Sequence, residues 1–435
     1  MRTGADDDKF WSLRPAASMT ARALSRATAQ ALATRWEDSE TSWTRDDLAA
    51  AFAQLVDDGR ADELAVRVVG LVPREPVDAP AALFWILAEL PFLQPPAAPL
   101  APRHRRFGVP ELPDRAAVAR LLDLTLPELD WFCDRRRWLR HAPEPLSHYR
   151  YRHLPKARGV RVVEAPKPRL RELQRRIAHR ILSGVPAHPA CHGFEKGCSA
   201  ASFAAPHAGA AVTIRIDLRH FFPTITRPRV RAVFAACGYE PTVADTLADL
   251  CTTATAVAAL RGVDHEQAML LRAPHLAQGA PTSPRLANLV ARNLDRRLTG
   301  FARRSGLQYT RYADDLAFSG PAGVEVDRIV WTVTKIAAAE GFAVNARKTT
   351  VRRAHQRQVL AGLVVNDRPR VARADYDALR ALLHNCRRSG AAAQNHDGHT
   401  DFRAHVYGLI AWMGASDDAR RQRLLRIADE VDWDS

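Results

Sequence analysis

Three aspartates in two separated segments are the residues whose type and spacing could do chemistry. Asp314 and Asp315 are adjacent within RYADDLAFSG, and Asp217 lies within TIRIDLRHFF. Hard divalent cations such as Mg²⁺ prefer oxygen ligands and commonly act with phosphates. Carboxylates from separated segments can form a two-metal site, in which one ion activates the attacking oxygen of a phosphoryl displacement and the other stabilises the leaving oxygen. In such a site Asp314 would bind metal with Asp217, and Asp315 would support the shell.

The segments that carry these aspartates have the pattern of short strands. LQYTRY precedes the adjacent pair and LAFSG follows it; both are β-prone, which predicts two strands with the pair at or beside their tight turn. Ile214, Ile216 and Leu218 alternate with polar residues, which predicts a strand buried on one face, with Asp217 on the other face. On their own, an Asp-Asp pair is more typical of an ordinary turn, and a single aspartate of a cap.

A loop and a helix lie between the two acidic segments, in AQGAPTSPRLANLVARNLDRRL. Gly279 and Pro281 indicate a turn, and Ser283 followed by Pro284 predicts the start of an amphipathic helix, with Ser283 as its N-cap. Gln278 would lie in the loop before this helix, where its side chain could contact a nucleotide. Taken alone, the segment is no more than a well-capped helix.

The charge of the chain favours a polyanionic partner. The 435 residues carry a net charge of +15, the pI is about 10.1, and nucleic acid is the usual partner of such a protein. Residues 147–180 hold eleven Lys or Arg residues against two acids. There HLPKARGVRVVEAP predicts a hairpin with Gly159 at its turn, and RLRELQRRIAHRIL predicts an amphipathic helix. The alternatives are a solvated basic face and an organism whose proteins are generally rich in arginine.

The remaining composition limits the class of protein. Hydrophobic residues make up 47% of the chain, which is typical of a globular protein. The six cysteines form no CxxC pair, so a zinc site or disulfide framework is not expected, and a reducing compartment, the cytoplasm, is. No apolar run is long enough to span a membrane, and no secretory signal opens the chain.

Two further helical regions flank the segments described so far. Residues 17–93 have apolar residues at helical spacing, and a proline-rich stretch then predicts a boundary between an N-terminal helical module and the main body. After residue 366, ARADYDALRALLHNCRR and FRAHVYGLIAWM predict two amphipathic helices. Arginines on the first of them are available for a nucleic acid, although a solvated face explains them equally well.

The order and spacing of these motifs resemble those of a reverse transcriptase, and more narrowly those of the bacterial retron type. Asp217 followed by two phenylalanines, then QGAPTSP, YADD, GFAVNARKT and LAGLVVN, match the palm of that family. The resemblance runs from about residue 112 to the C-terminus and includes HLPKARGVRVVEAP, LQRRI and HGFEKGCS. As a set these motifs are highly specific.

The resemblance implies an α+β, right-hand polymerase fold with an N-terminal helical module. That module and its linker would occupy residues 1–110, and the fingers residues 111–211. The palm, with an antiparallel sheet, would occupy residues 212–365, including a fingers insertion at about residues 226–275. A helical thumb would occupy residues 366–435.

The resemblance also implies roles for individual residues at the reacting centre. Asp217, Asp314 and Asp315 would be the catalytic carboxylates that hold two Mg²⁺ ions. Lys348, in NARKT, matches a lysine that protonates the leaving pyrophosphate, although a solvated lysine is an equal alternative. Tyr312 and the alanine after it would lie near the primer end.

Five residues match the family's nucleotide-binding positions. Gln278 would contact the incoming dNTP, and Gly279 would let the backbone approach it. Phe222 matches the aromatic gate that collides with a ribose 2′-hydroxyl; its alternative is a core position, for which the preceding phenylalanine is the better candidate. Lys156 and Arg161 match residues of the fingers that clamp the triphosphate.

The family implies a structured non-coding RNA as template and primer, extension from an RNA 2′-hydroxyl, an RNA–DNA hybrid product, anti-phage defence and an effector protein. Two segments depart from the retron pattern: residues 203–207 keep its alanine and histidine but not its asparagine, and Leu360-Ala361-Gly362 replaces Val-Thr-Gly. Both departures concern the retron-specific part of the resemblance and leave the polymerase motifs intact. The alternatives are a non-retron defence or intron-like reverse transcriptase and a catalytically idle RNA-binding scaffold.

Overall fold

The structure is a computed structural model that describes residues 26–39, 41–56, 58–76, 78–89, 107–155 and 159–433. The chain divides into two compact units, Met1–Pro102 and Arg103–Ser435. Within the described ranges, no helix has both the length and the apolar character needed to cross a bilayer.

The first unit is helical in its described part. Its helices are α1 (Arg26–Asp38), α2 (Arg45–Phe52), α3 (Asp58–Leu71) and α4 (Ala79–Glu89). They pack around leucine and alanine side chains, and Trp36 meets Trp43 edge to face with ring centroids 5.2 Å apart. The helical periodicity predicted over residues 17–93 is confirmed for these four segments; residues 17–25 lie outside the described part of the chain.

The second unit combines helices with antiparallel strands, as an α+β fold requires. Its helices are α5 (Arg115–Leu122), α6 (Leu126–Cys133), α7 (Pro168–Arg180), α8 (Ala200–Ala204), α9 (Arg227–Ala236), α10 (Pro241–Cys251), α11 (His265–Arg272), α12 (Ser283–Val290), α13 (Arg292–Arg304), α14 (Val326–Ala339), α15 (Arg373–Ser389), α16 (Phe402–Gly414) and α17 (Asp418–Ala428). Its strands are β1 (Tyr149–Pro155), β2 (Val160–Pro166), β3 (Val212–Arg219), β4 (Gln308–Tyr312), β5 (Asp315–Gly320), β6 (Ala343–Val344), β7 (Thr350–Arg353), β8 (Val359–Leu360) and β9 (Leu363–Val364).

A five-stranded antiparallel sheet carries the three aspartates. Its order is β4-β5-β3-β6, and β7 also pairs with β3. The two strands predicted around the adjacent aspartates are β4 and β5, and the strand predicted around Asp217 is β3. The prediction that β3 is buried on one face only is wrong, because Thr213 and Asp217 are buried as well. Strand β3 lies in the middle of the sheet, so neighbouring strands shield its polar positions from solvent.

The basic segment forms the predicted hairpin and helix. Strands β1 and β2 pair antiparallel over their whole length, and Gly159 has a φ of 78°, which a glycine adopts without strain. Helix α7 buries Leu170, Leu173 and Ile177 and leaves its arginines on the other side. Gln174 of α7 donates to the Tyr149 hydroxyl at 3.0 Å, which ties the helix to the hairpin.

The C-terminal helices pack against the back of the hairpin formed by β4 and β5. Ala317 of β5 and Phe203 of α8 belong to the same hydrophobic cluster as residues of α15, α16 and α17. Two of these three helices were predicted. The third, helix α17, was not predicted. Its sequence, DARRQRLLRIA, is rich in charged residues that interrupt the apolar stripe, and only Leu424 and Ala428 are buried.

A buried histidine joins β4 to β5. The ring of His207 lies between the hydroxyls of Thr310 and Ser319, at 2.8 and 2.7 Å, and is fully buried. Burial lowers the pKa of His207 to about 4, with a smaller contribution from His192. The histidine retained in the departing segment 203–207 is thus neutral at pH 7 and holds two strands together.

This predicts a dependence of stability on pH. Because the pKa of His207 is about 4 in the folded protein and about 6.5 in an unfolded chain, its contribution is present above pH 6.5 and is lost as the pH falls through 4. We expect the free energy of unfolding of the wild type to fall over this range by about 3 kcal/mol more than that of His207→Gln. Urea denaturation at pH 7, 5.5 and 4.5 measures the difference; identical pH slopes would contradict this role.

Candidate active site

The turn between β4 and β5 presents the adjacent aspartates. Tyr312 pairs with Asp315, which leaves Ala313 and Asp314 as a two-residue turn. Ala313 has a φ of 55°, a left-handed conformation that favours glycine. Asp217 is the cross-strand partner of Asp315, and the amide of Leu218 donates to the Asp314 carbonyl at 2.9 Å. We call β4, this turn and β5 the aspartate hairpin; with β3 it places all three aspartates side by side.

Cationic side chains neutralise two of the three carboxylates. Lys348 Nζ lies 3.0 Å from Asp217 Oδ2, and Asn345 Nδ2 donates to Asp217 Oδ1 at 3.2 Å. Arg215 makes a two-pronged contact with Asp315, at 2.9 Å from Nε and 2.7 Å from Nη2. Arg215 and Asp217 are two residues apart on β3 and therefore point to the same face of the sheet. Asp315 is thus held by a protein cation, and its supporting role stays a prediction.

The surroundings of Asp314 disfavour the charged form of its carboxyl group. Burial raises its pKa, and the neighbouring charges of Asp315 and then Asp217 raise it further. Among the described residues, no group of three His, Cys, Asp or Glu side chains has the geometry of a formed metal site. The donors nevertheless fit a hard divalent cation, since they are carboxylate oxygens whose mutual repulsion such an ion would relieve.

A fully buried ion pair fixes the start of the turn. Arg311 donates from Nε and Nη2 to both carboxylate oxygens of Asp295, at 2.7 Å each. Its Nη1 donates to Asn288 Oδ1 at 3.1 Å and to the carbonyl of Ala313 at 3.0 Å. Burial alone would lower the pKa of Arg311, but Asp295 outweighs it and the pKa is raised. The buried guanidinium of Arg311 therefore donates to the backbone of the turn. Asn288 of α12 and Asp295 of α13 hold this guanidinium in place.

The backbone at Gly193 lies in close contact with the same turn. A Cβ atom at Gly193 would lie 2.5 Å from the Ala313 amide nitrogen, so only glycine fits there. Asn288 Nδ2 donates to the Gly193 carbonyl at 2.7 Å. The HGFEKG motif thus supports the aspartate hairpin through its glycine.

The Gln278 loop is anchored by a buried acid. Glu164 of β2 accepts from the Thr255 hydroxyl at 2.7 Å and meets His275 Nε2 at 2.8 Å. Burial disfavours the charged form of His275, but Glu164 outweighs it and raises the pKa of the imidazole. The amide of Glu164 also donates to the Gln278 carbonyl at 3.0 Å. Gly279 has a φ of 136°, and a Cβ there would lie 2.9 Å from the Glu164 carbonyl, so the close approach seen at this glycine is to β2.

The predicted N-cap of the following helix is wrong. Ser283 lies inside α12 and is buried, and no side chain caps the helix. Thr282 already has helical dihedrals, with φ −82° and ψ −24°, so the turn continues directly into the helix. Pro284 occupies the first turn, as predicted.

The other predicted nucleotide-binding residues lie on separate elements. Phe222 follows β3 in a turn and is half-buried, whereas Phe221 is 4% exposed and packs on Phe342 with ring centroids 5.5 Å apart. Arg161 is exposed on β2. Lys156 lies outside the described residues.

Sequence reasoning missed the residues that hold the aspartates rather than the aspartates themselves. The sequence analysis predicted no role for Arg215, Arg311 or Asp295, and it counted Glu164 only as one of two acids in a basic segment. A charged residue between apolar neighbours, as in TIRID and YTRYA, is the signal that could have identified the two arginines.

We predict that Arg311→Met destabilises the protein by about 3–5 kcal/mol, because it leaves Asp295 buried and unpaired. The exposed Arg303 of α13 offers a matched control, and Arg303→Met should change stability by no more than about 0.5 kcal/mol. Urea denaturation of both variants measures the difference. Equal effects of the two substitutions would show that the buried pair does not support the hairpin.

Comparisons with known proteins agree with this geometry. A family model described as reverse transcriptase (RNA-dependent DNA polymerase) matches residues 154–364. The retron Mx65 reverse transcriptase of Myxococcus xanthus is 39% identical over 327 residues, which cover 74% of this chain and 72% of that protein. The retron Mx162 reverse transcriptase of the same organism is 34% identical over 348 residues, 76% of this chain and 69% of that protein. The retron Ec86 reverse transcriptase of Escherichia coli is 29% identical over 327 residues, 72% of this chain and 93% of that protein.

The family match includes the three aspartates and Gln278. Together with the antiparallel sheet, it confirms the predicted α+β polymerase fold class. Enzymes of this family use divalent metal ions and nucleic-acid templates in general, which agrees with carboxylate donors in a basic protein. The chain belongs to the retron reverse transcriptases and is an RNA-directed DNA polymerase.

Proposed function

We propose that this reverse transcriptase copies a cognate structured non-coding RNA into DNA, starting from a 2′-hydroxyl of that RNA. The observation that carries the chemical part is the register of the sheet, in which Asp217 opposes Asp315 and Asp314 occupies the adjoining turn. The substrates are the four dNTPs and the product is an RNA–DNA hybrid. The relatedness to retron enzymes over about three quarters of the chain supports the RNA-linked part.

The cations are two Mg²⁺ ions held by Asp217 and Asp314, with Asp315 supporting them. When bound, the ions supply an activated primer hydroxyl and neutralise charge on the phosphates. Arg215 keeps Asp315 in place at 2.7 Å, so that Asp315 contributes negative charge without having to leave its own partner. Lys348 starts 3.0 Å from Asp217, and its side chain is 59% exposed. The Lys348 ammonium is the group that would donate a proton to the departing pyrophosphate.

The nucleotide binds beside the Gln278 loop, which is held against β2. Gln278 contacts the dNTP, and Gly279 keeps the loop close to β2. Arg161 on β2 and Lys156 bind the triphosphate, for which the planar guanidinium of arginine suits two-pronged contact. Phe222 is the gate against the ribose 2′-hydroxyl, since it is half-buried while Phe221 fills the core.

The chain is organised as a right hand. Residues 111–211 form the fingers, residues 212–365 the palm with an insertion at about 226–275, and residues 366–435 the thumb. Residues 1–110 contain the N-terminal helical module and its linker. The shared cluster of Ala317 with residues of α15 to α17 supports this assignment, because it couples the thumb to the sheet that carries the site.

The biological setting follows from the retron relatives by analogy. We propose a role in anti-phage defence in the cytoplasm, with an effector protein as a further partner; the six cysteines are free thiols, as a reducing compartment permits. A non-retron defence enzyme, an intron-like enzyme and an idle RNA-binding scaffold are the alternatives. Intact carboxylates at all three positions disfavour the scaffold, because a scaffold has no need of three carboxylates held side by side.

The test is to purify the protein expressed from its native locus and to treat the bound nucleic acid with RNase and DNase separately. We predict DNA covalently joined to RNA, and its absence from Asp314→Asn/Asp315→Asn. The exposed Asp327 of α14 provides the control, and Asp327→Asn should retain the product. DNA without linked RNA would contradict 2′-hydroxyl priming, and RNA alone in the wild type would favour the scaffold.

Selection of dNTPs gives a second prediction. Phe222→Ala should raise the incorporation of ribonucleotides at least tenfold relative to dNTPs, because it opens the space that a 2′-hydroxyl needs. Steady-state incorporation of each rNTP and dNTP on one template measures the ratio. Unchanged discrimination would place Phe222 among the core residues.

A further inference from the structure

One exposed aromatic residue beside the aspartate hairpin has no part in the mechanism described so far. Phe194 is 51% exposed, although phenylalanine ordinarily lies inside a protein. Its φ of 62° is left-handed, which is an outlier for a bulky residue. Strained backbone at a bulky residue persists only where its surroundings enforce it, and it is concentrated at functional sites.

The surroundings of Phe194 enforce its position from both sides. Before it, Gly193 is pressed against the Ala313 amide and accepts from Asn288 at 2.7 Å. After it, Glu195 forms an ion pair with Arg285 and accepts from Asn288 at 2.8 Å. The main chain is therefore fastened at residues 193 and 195, and the side chain between them is turned outward.

Phe194 lies against the tyrosine of the YADD motif. Its ring centroid is 6.3 Å from that of Tyr312, at an interplanar angle of 39°. Tyr312 is backed by the fully buried Phe203, with centroids 5.7 Å apart. Phe194 thus forms the outer, solvent-facing end of a row of three rings that begins in the core and includes the tyrosine two residues before Asp314.

A cation accompanies the exposed ring. Lys196 is exposed two residues further on, and no described residue forms an ion pair with it. An aromatic face beside a basic side chain is the combination that proteins use for single nucleic-acid strands, because the ring stacks on a base and the cation meets the backbone phosphate.

We propose that Phe194 and Lys196 position the end of the primer strand. The ring of Phe194 stacks on the terminal nucleotide beside Tyr312, and Lys196 binds the adjacent phosphate. This inference rests on the proposed reaction at Asp217 and Asp314. It adds the residues that determine where the primer terminus lies. Phe194 is a positioning residue, and the reacting groups remain those of the aspartate site.

The test uses the full-length protein and an RNA template annealed to a DNA primer with 2-aminopurine at its 3′ end. Stacking on Phe194 should alter the fluorescence of this base on binding, and 2-aminopurine eight nucleotides upstream should not report it. We expect Phe194→Gly to weaken binding of the primer–template about tenfold, with a larger change in KM for primer–template than in kcat. Phe194→Tyr, which keeps the ring, should retain the wild-type signal.

Thermal unfolding separates this role from simple packing. Glycine relieves the left-handed φ, so Phe194→Gly should be at least as stable as the wild type. Loss of stability with unchanged primer affinity would make Phe194 a packing residue and overturn the proposal. If the wild type extends the primer and Phe194→Gly binds the primer–template as tightly as the wild type, this inference alone is overturned. If the wild type neither binds nor extends the primer, the proposed reaction is overturned as well.

Discussion

Mutual repulsion of three carboxylates is the constraint on which the rest of the site depends. Asp217, Asp314 and Asp315 lie on adjacent strands and their turn, and burial strengthens the repulsion at Asp314, where the pKa is raised. Left to itself, such a turn would open. The protein offsets the repulsion with two cations, Lys348 on Asp217 and Arg215 on Asp315, whereas no described residue forms an ion pair with Asp314. In the proposed mechanism, this remaining negative charge is what attracts a divalent ion and, with it, a nucleotide.

The supporting structure is built to keep that turn from relaxing. Arg311 and Asp295 form an ion pair fully inside the protein, which is tolerable because each nitrogen of the guanidinium has an acceptor. One of those partners is the Ala313 carbonyl, so the pair acts on the turn directly. Gly193 closes the turn from the outside and His207 ties β4 to β5 behind it. Helices α12 and α13, the HGFEKG segment and the sheet therefore share one task, although they are far apart in sequence.

The strands that carry the site could be predicted from the sequence. The side chains that hold these strands and their turn in place could not. Alternation of apolar residues predicted β3, and β-prone residues predicted β4 and β5, because both signals are local; the motif order predicted which acids meet. The partners of Arg215 and Arg311 come from strands or helices 100 and 16 residues away, and no local pattern encodes such pairs. Helix α17 was missed because its arginines obscure a narrow apolar stripe, and the Ser283 cap was misplaced because Thr282 continues the turn.

The measurement that tests the central claim most directly is Mn²⁺ binding by electron paramagnetic resonance, since Mn²⁺ takes the same oxygen ligands as Mg²⁺. The wild type, Asp217→Asn and the control Asp327→Asn would be titrated in the presence of primer–template and a non-hydrolysable dNTP. If the three aspartates form a cation site, the wild type and the control bind Mn²⁺ with equal affinity, and Asp217→Asn binds it at least tenfold more weakly. Equal binding by all three proteins would contradict the account, because the carboxylates gathered by the aspartate hairpin would then serve some purpose other than holding metal.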